Sequence, residues 1–142
     1  MSFSVSEDRA KLLAEPTELD QPFWDGLAEG KLRIQHCSID TCGNYQYPFE
    51  TFCFRCGSDD IGWDDTSGEG EIHTFVTVHQ RYHAAFADIL PYNVSVIELD
   101  EGTRIVSNVI NIDTDDVKIG MRVKVAPQPA GDGRYALFFE KA

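Results

Sequence analysis

Residues 37–56 read CSIDTCGNYQYPFETFCFRC, and all four cysteines of the chain lie in this stretch. They form two pairs, Cys37-x4-Cys42 and Cys53-x2-Cys56, with ten residues between them that include Gly43, Asn44 and Pro48. Each pair can close a tight knuckle that aims both sulfurs at a common centre, so four thiolates are available to one tetrahedral Zn2+. Gly57 follows the second pair and can take the positive φ of a sharp turn. The stretch therefore reads as a zinc ribbon. A rubredoxin-type iron site also uses two cysteine pairs, and spacing alone does not separate the metals. In either case four sulfurs close the shell, leaving no position for water or substrate, so the metal holds structure. By analogy with zinc-finger peptides, the ion contributes roughly 10 kcal/mol to a segment with little core of its own.

Pairing the same cysteines as disulfides would need an oxidising compartment. The opening residues Met-Ser-Phe-Ser-Val-Ser-Glu-Asp have neither a basic nor an apolar leader region. The expected location is cytoplasmic. A length of 142 residues with 42% apolar side chains suits one compact domain or two small ones. No apolar run approaches the length of a membrane span. With 12 basic and 24 acidic residues the net charge is −12, which weighs against nucleic-acid binding, since that is driven largely by Lys and Arg on phosphates. Charge is uneven: six acids and no base fall between Asp59 and Glu71, whereas Lys31, Arg33 and Arg55 gather around the cysteine stretch.

Outward from the cysteines, Lys31–His36 alternates polar and apolar residues and should be the strand entering the first knuckle. Tyr45–Phe49 leads to the second, and Ile61–Trp63 closes the ribbon. Upstream, Ser6 can cap a helix over Glu7–Ala14 that Pro16 stops, and Asp20 can cap a second helix running to Gly30. Phe23, Trp24 and Leu27 share one side of that helix; they either cover the chain's own core or sit in a groove shared with a ligand or another subunit. Downstream of the acidic linker, five β segments follow: Glu71–His79, Tyr92–Leu99, Thr103–Ile110, Met121–Val125 and Arg134–Phe139. Ile72, Thr74, Val76 and Val78 fall on one face of the first. Five short strands in so few residues suggest a closed OB-type barrel, because closure removes exposed edges. The expected fold is thus mainly β: an N-terminal helical arm (1–30), a zinc ribbon (31–66) and a five-stranded OB-type β-barrel (67–142).

This order of elements resembles a family in which a rubredoxin-like zinc ribbon precedes an OB fold, a family of acyl-CoA-associated accessory proteins. The resemblance rests on Gln21-Pro-Phe-Trp-Asp-Gly-Leu-Ala-Glu-Gly-Lys-Leu, Cys53-Phe-Arg-Cys-Gly-Ser, Gly68-Glu-Gly70, Pro91-Tyr92 and Asp116-Val-Lys-Ile-Gly-Met-Arg-Val. The first cysteine pair departs from it, since the family usually has two intervening residues there. The resemblance implies a non-catalytic partner of a thiolase-like enzyme, or of a MaoC-type hydratase, that helps to form or stabilise a CoA-thioester site. Coenzyme A offers an adenine ring, a 3′-phosphate and a pyrophosphate, which call for aromatic faces and cations at short range. Phe23, Trp24, Lys31, Arg33, Phe54 and Arg55 are the candidate contacts with CoA or the partner.

Signs of catalysis within the chain are few. His73, His79 and His83 with Asp88 show no metal-ligand spacing and read as ordinary strand and loop residues. No cysteine is left to act as a nucleophile once a metal takes four, serine has no Gly-x-Ser-x-Gly setting, and no phosphate-cradling glycine loop appears. The segment Gln80–Pro91, with Tyr82, Phe86, Ile89 and Leu90, is apolar for a connection and should either fold over one barrel end or dock on a partner. Two further readings remain: a ribbon-and-barrel nucleic-acid module, which the charge opposes, and an electron carrier with iron in the thiolate site.

Overall fold

A computed structural model describes residues 3–142. The first helix, α1, runs only from Glu7 to Ala10, with the Ser6 hydroxyl accepting from Arg9 N at 3.1 Å. The chain then leaves the helix four residues before the expected end at Ala14. A single turn with no buried residue has nothing to offset the cost of nucleation. Helix α2 spans Gln21–Ala28 and buries Phe23, Gly26 and Leu27. Asp20 precedes it without capping it, because its carboxylate accepts instead from Thr17 N at 2.6 Å and Thr17 Oγ1 at 2.9 Å.

The ribbon is a three-stranded antiparallel sheet with β1 (Arg33–Cys37) between β2 (Tyr45–Gln46) and β3 (Ile61–Asp65). Within the Tyr45–Phe49 segment that leads to the second knuckle, only Tyr45–Gln46 is strand, since Pro48 has no N–H with which to continue a ladder.

The remaining strands are β4 (Glu69–Val78), β5 (Tyr92–Leu99), β6 (Arg104–Ser107), β7 (Val109–Ile110), β8 (Arg122–Val125), β9 (Gln128–Pro129), β10 (Tyr135–Ala136) and β11 (Phe139–Lys141). They pair in the order β6-β5-β4-β8-β11-β7, and β7 lies parallel to β11. Only Asn108 separates β6 from β7, so the two ends of this sheet are halves of one bent strand and the circuit closes as a five-stranded OB-type barrel. The expected last strand, Arg134–Phe139, divides in two. Tyr135–Ala136 pairs with β9 as a small outlying ribbon, and the barrel is closed by Phe139–Lys141.

Strand β4 corrects a second expectation. Its register against β5 slips between Ile72 and Thr74, leaving His73 as an extra residue. A bulge of this kind reverses which residues face inward beyond it. Ile72 is fully buried and Phe75 packs on the core, whereas Val76 is 60% exposed. The barrel interior, built on Ile72, Ile97, Leu99, Ile105, Val123 and Phe139, is continuous with Phe23, Leu27, Leu32 and Ile34 from α2 and the ribbon. Ribbon and barrel therefore share one hydrophobic core.

Candidate metal centre and adjoining surfaces

Cys37 ends β1, and its N–H donates to Asn44 O at 2.8 Å; Cys42 N and Gly43 N both donate to Ile39 O, at 2.9 and 3.0 Å. Across the site Gly57 N donates to Cys53 O at 2.9 Å, and Gly43 and Gly57 have φ of 63° and 79°. Each pair thus closes the same kind of knuckle, the extra residues of the first being taken up by the turn at Ile39. All four Sγ atoms lie within 4.8 Å of one another, with Cys37–Cys56 and Cys42–Cys53 each at 3.7 Å. A tetrahedron of sulfurs about 2.3 Å from a zinc ion has edges of about 3.8 Å, so the thiols stand where that ion requires them. A disulfide would need about 2.05 Å.

Proton affinities in the cluster diverge. For Cys53, the backbone N–H of Cys56, aided by that of Arg55, outweighs burial and holds the thiol down to about 6. Cys37 accepts from the Ile39 backbone, which favours the thiolate, yet burial and the three other thiols push it up to about 12. Cys42 is likewise raised, burial and its neighbours prevailing over the N–H of Asn44. Sulfurs this close resist carrying charge together, and a bound divalent cation is what would let all of them ionise.

Behind the knuckles lies a network that alternation alone concealed. Gln35 and Gln46 are 2% and 3% exposed, and Gln46 Nε2 donates to Gln35 Oε1 at 2.9 Å. Gln35 also donates to Glu50 O and accepts from Glu50 N, at 2.7 and 3.0 Å. Gln46 donates to Phe52 O and accepts from Phe54 N, both at 2.9 Å. Two amides on adjacent strands therefore fix both sides of the loop that carries Cys53. The only sequence signal was a glutamine at position 35 of an otherwise half-buried strand.

The residues expected to meet CoA or a partner do not form one cluster. Phe23 is 5% exposed and packs on Trp24, Tyr47 and Phe49 at ring-centre distances of 5.2, 6.1 and 5.3 Å, so its ring belongs to the core and not to a contact surface. Arg33 is held by Glu29 and Asp65, each at 2.7 Å, and Lys31 reaches Asp65 at 3.6 Å. These two cations are already neutralised; Arg33 sits at the end of β1 away from Cys37, roughly 13 Å along the strand, and Lys31 lies beyond that end. Phe54 and Arg55, in contrast, are exposed on the second knuckle itself, with Phe52 edge-on to Phe54 at 5.8 Å.

The histidines also disperse. His73 is exposed on β4 and His79 is exposed just past its end, and His83 Nδ1 accepts from Ala85 N at 3.0 Å, starting a 3-10 turn over Ala84–Ile89. That turn folds back on the barrel through Phe86 against Tyr92 at 5.7 Å, while Tyr82 is 74% exposed. Asp88 binds Arg9 at 2.6 Å. Among the described residues, only the cysteines bring three or more metal-ligating side chains together. No helix of the described residues is long and apolar enough to cross a membrane.

Comparison with known proteins agrees with this architecture. Residues 24–62 match the family model "ChsH2, rubredoxin-like zinc ribbon domain", and residues 63–128 match "ChsH2, C-terminal OB-fold domain". A "DUF35 domain-containing scaffold protein" of Methanocaldococcus jannaschii is 32% identical over 66% of this chain and 69% of its own length. The "Probable enoyl-CoA hydratase alpha subunit" of Thermomonospora curvata is 36% identical over 73% of this chain, which spans only 32% of that relative's length. Among solved structures, a chain of the "Ltp2-ChsH2(DUF35) aldolase" superposes with a TM-score of 0.77 at 28% identity, covering 91% of this chain and 98% of that one.

Proposed function

Because the chain belongs to the DUF35 family of ChsH2-type zinc-ribbon and OB-fold proteins, we propose that it is a non-catalytic accessory subunit of an acyl-CoA-processing complex. Its partner in this reading is a thiolase-like catalytic chain, whose CoA-substrate site it helps to form or stabilise. The observation that carries the proposal is the match to the aldolase chain, which extends over nearly the whole of both molecules. Cys37, Cys42, Cys53 and Cys56 would hold one Zn2+. That ion would supply a closed structural crosslink and no open coordination position. The working division is a helical arm over 1–30, the ribbon over 31–66 and the barrel over 67–142, acting in the cytoplasm, where thiols stay reduced for metal binding.

On the ribbon, the surface best suited to the partner and the CoA tail is the second knuckle. Phe52 and Phe54 are 44% and 51% exposed beside Arg55, for which the described residues provide no ion pair. An exposed aromatic pair with an unneutralised guanidinium suits a flat ring and a phosphate. Net charge of −12 favours such a local role over general nucleic-acid binding.

Co-expression with a thiolase-like catalytic chain from the same genome is the direct test. The two chains should co-elute from a sizing column at micromolar concentration, and acyl-CoA cleavage or condensation should need both. Turnover by this chain alone, or separate elution, would sink the proposal. The hydratase name of the Thermomonospora relative supports a second reading, with a MaoC-type hydratase as partner. Co-elution with that subunit and not with the thiolase-like one would select it.

A further inference from the structure

Strand β4 outruns its neighbour β8. The two pair over Glu69–Glu71, and their last bonds are Ile72 N to Met121 O at 3.0 Å and Gly120 N to Ile72 O at 2.8 Å. Beyond Ile72 the strand continues to Val78 on β5 alone. Side-chain face and hydrogen-bonding direction alternate together along a strand. Ile72 faces inward and turns its backbone groups to the β8 side; past the bulge the inward residues are Phe75 and Thr77, opposite the buried Ser95 and Asn93. Their N–H and C=O groups therefore point to that same side, where nothing among the described residues bonds to them. Four backbone groups on a bare edge call for another extended strand.

The residues around them select which strand. In Thr74-Phe75-Val76-Thr77-Val78, Thr74 and Val78 stand two places either side of Val76 and are both β-branched and nearly equal in size. A second copy laid antiparallel on this edge, Val76 opposite Val76, sets Phe75 against Thr77 twice, and all four backbone groups of each copy find partners. A shift by two residues leaves only one such pair. In the centred register Thr74 meets Val78 on the outer face, and the two Val76 side chains, 60% exposed in the single chain, stand in the close, non-hydrogen-bonded kind of pair. Both ends limit the seam to this length, since β4 stops at Val78 and Ile72 already belongs to β8.

Electrostatics agree. Residues 72–87 contain no acid, the longest such run in a chain of net charge −12, so two copies approach on their least repulsive edge. Arg81 and Glu71 are exposed, and the described residues give neither an ion pair. The antiparallel register carries Arg81 of each copy towards Glu71 of the other.

We infer that β4 is the seam of a symmetric homodimer, in which two copies join antiparallel through the backbones of Phe75 and Thr77. The inference goes beyond the accessory-subunit reading and does not depend on it.

Because the seam is short, sedimentation equilibrium of the full metal-loaded chain should give a monomer–dimer Kd on the order of 100 µM. Amide exchange followed by NMR at concentrations either side of that value locates the seam. Phe75 and Thr77 N–H should exchange several-fold more slowly as the dimer fills, whereas Val76 and Val78, which bond to β5, should change little. Val76→Lys sets two like charges face to face and should weaken association about tenfold. Val106→Lys adds the same charge at a valine 58% exposed on β6 and should leave association unchanged. The inference is overturned if the chain stays monomeric throughout, if the two lysine variants affect the dimer alike, or if Phe75 and Thr77 exchange as fast in the dimer as in the monomer. It is also overturned if these amides slow only when a thiolase-like chain is added, which would give the edge to that partner and leave the accessory-subunit reading intact. Failure of such a chain to co-elute would sink that reading alone.

Discussion

The side-chain amides of Gln35 and Gln46 meet at 2.9 Å inside the ribbon, and through them four backbone groups of residues 50–54 are tied to the sheet. Removing one amide leaves buried peptide groups without partners. Gln46→Leu orphans Phe54 N and Phe52 O, and should destabilise the ribbon by about 2–3 kcal/mol. Because that loop delivers Cys53, a chelator should strip the metal at least several-fold faster. Chelator-release kinetics alongside urea denaturation would show it. Unchanged release would mean that the glutamines do not position the centre.

One zinc per chain is the expected metal content, in a colourless protein with no visible absorption. Cys53→Ser, which removes the buried sulfur that Arg55 N approaches at 3.4 Å, should abolish stoichiometric binding. Stripping the metal should loosen the ribbon first, since zinc binding and folding are coupled in such small modules. Elemental analysis with amide hydrogen exchange before and after chelation is the check; iron in the purified protein, or slow exchange in residues 33–65 without metal, would contradict it.

Gly70 is needed for space. A Cβ there would lie 2.4 Å from Glu98 O and 2.9 Å from Leu99 Cα, both backbone atoms that cannot swing aside. The close approach lets β4 pass between β5 and β8, to which it is bonded on both sides at this residue. Gly70→Ala should therefore cost about 2–3 kcal/mol by overpacking, read as a lowered urea midpoint at unchanged metal content. Gly102→Ala is the contrast: its Cβ would meet nothing within 4 Å, and the penalty comes only from φ of +94°.

Much of this follows from local pattern, and the exceptions have a common cause. Cysteine spacing determines the metal centre because a tetrahedral ion admits few loop shapes. The bulge at His73 leaves no such mark: Thr74 and Val76 fit a strand on either face, so alternation assigned the wrong side beyond it. Helix α2 shows the same gap. Its pattern identifies an apolar side but not that Phe23 would be sealed in while Trp24 stays at the rim. The grouping of Lys31 and Arg33 with Arg55 failed because nearness in sequence says nothing about which end of a strand a charge occupies.

Over β4, Arg122 of β8 grips Asp100 at the end of β5 with two bonds, Nη1–Oδ1 at 2.8 Å and Nη2–Oδ2 at 3.0 Å. The hydrogen bonds from Arg122, then its charge and Ser67, outweigh partial burial and hold the Asp100 carboxyl below its ordinary 3.8. A carboxyl depressed on folding contributes stability that is fully present above 3.8 and disappears as pH falls through the lowered value. The stability gap between wild type and Asp100→Asn should thus be present at neutral pH and close in strong acid. Carbon NMR titration of Asp100 should also return towards 3.8 in Arg122→Met. An unmoved titration would show that the fork carries no coupling.

Barrel closure turns on Asn93, 3% exposed on β5. Its Oδ1 accepts from Val109 N at 2.9 Å and from the Ser95 hydroxyl at 2.8 Å, while Nδ2 donates to Val109 O at 2.8 Å. Those bonds stand in for a ladder where β6 breaks at Asn108 and β7 departs to pair with β11. Asn93→Leu should cost about 3 kcal/mol, by leaving both polar groups of Val109 buried and unpaired. Asn93→Asp separates this account from a simple packing effect. The carboxylate can still accept from Val109 N but faces Val109 O with no proton to give, and burial should raise its affinity for one. Protonation restores the donor, so the deficit of Asn93→Asp relative to wild type should shrink as pH falls from 8 towards about 5, whereas that of Asn93→Leu should stay constant. Parallel urea midpoints across that range would decide it, and two deficits that move together would mean that shape, and not the hydrogen bond to Val109, closes the barrel.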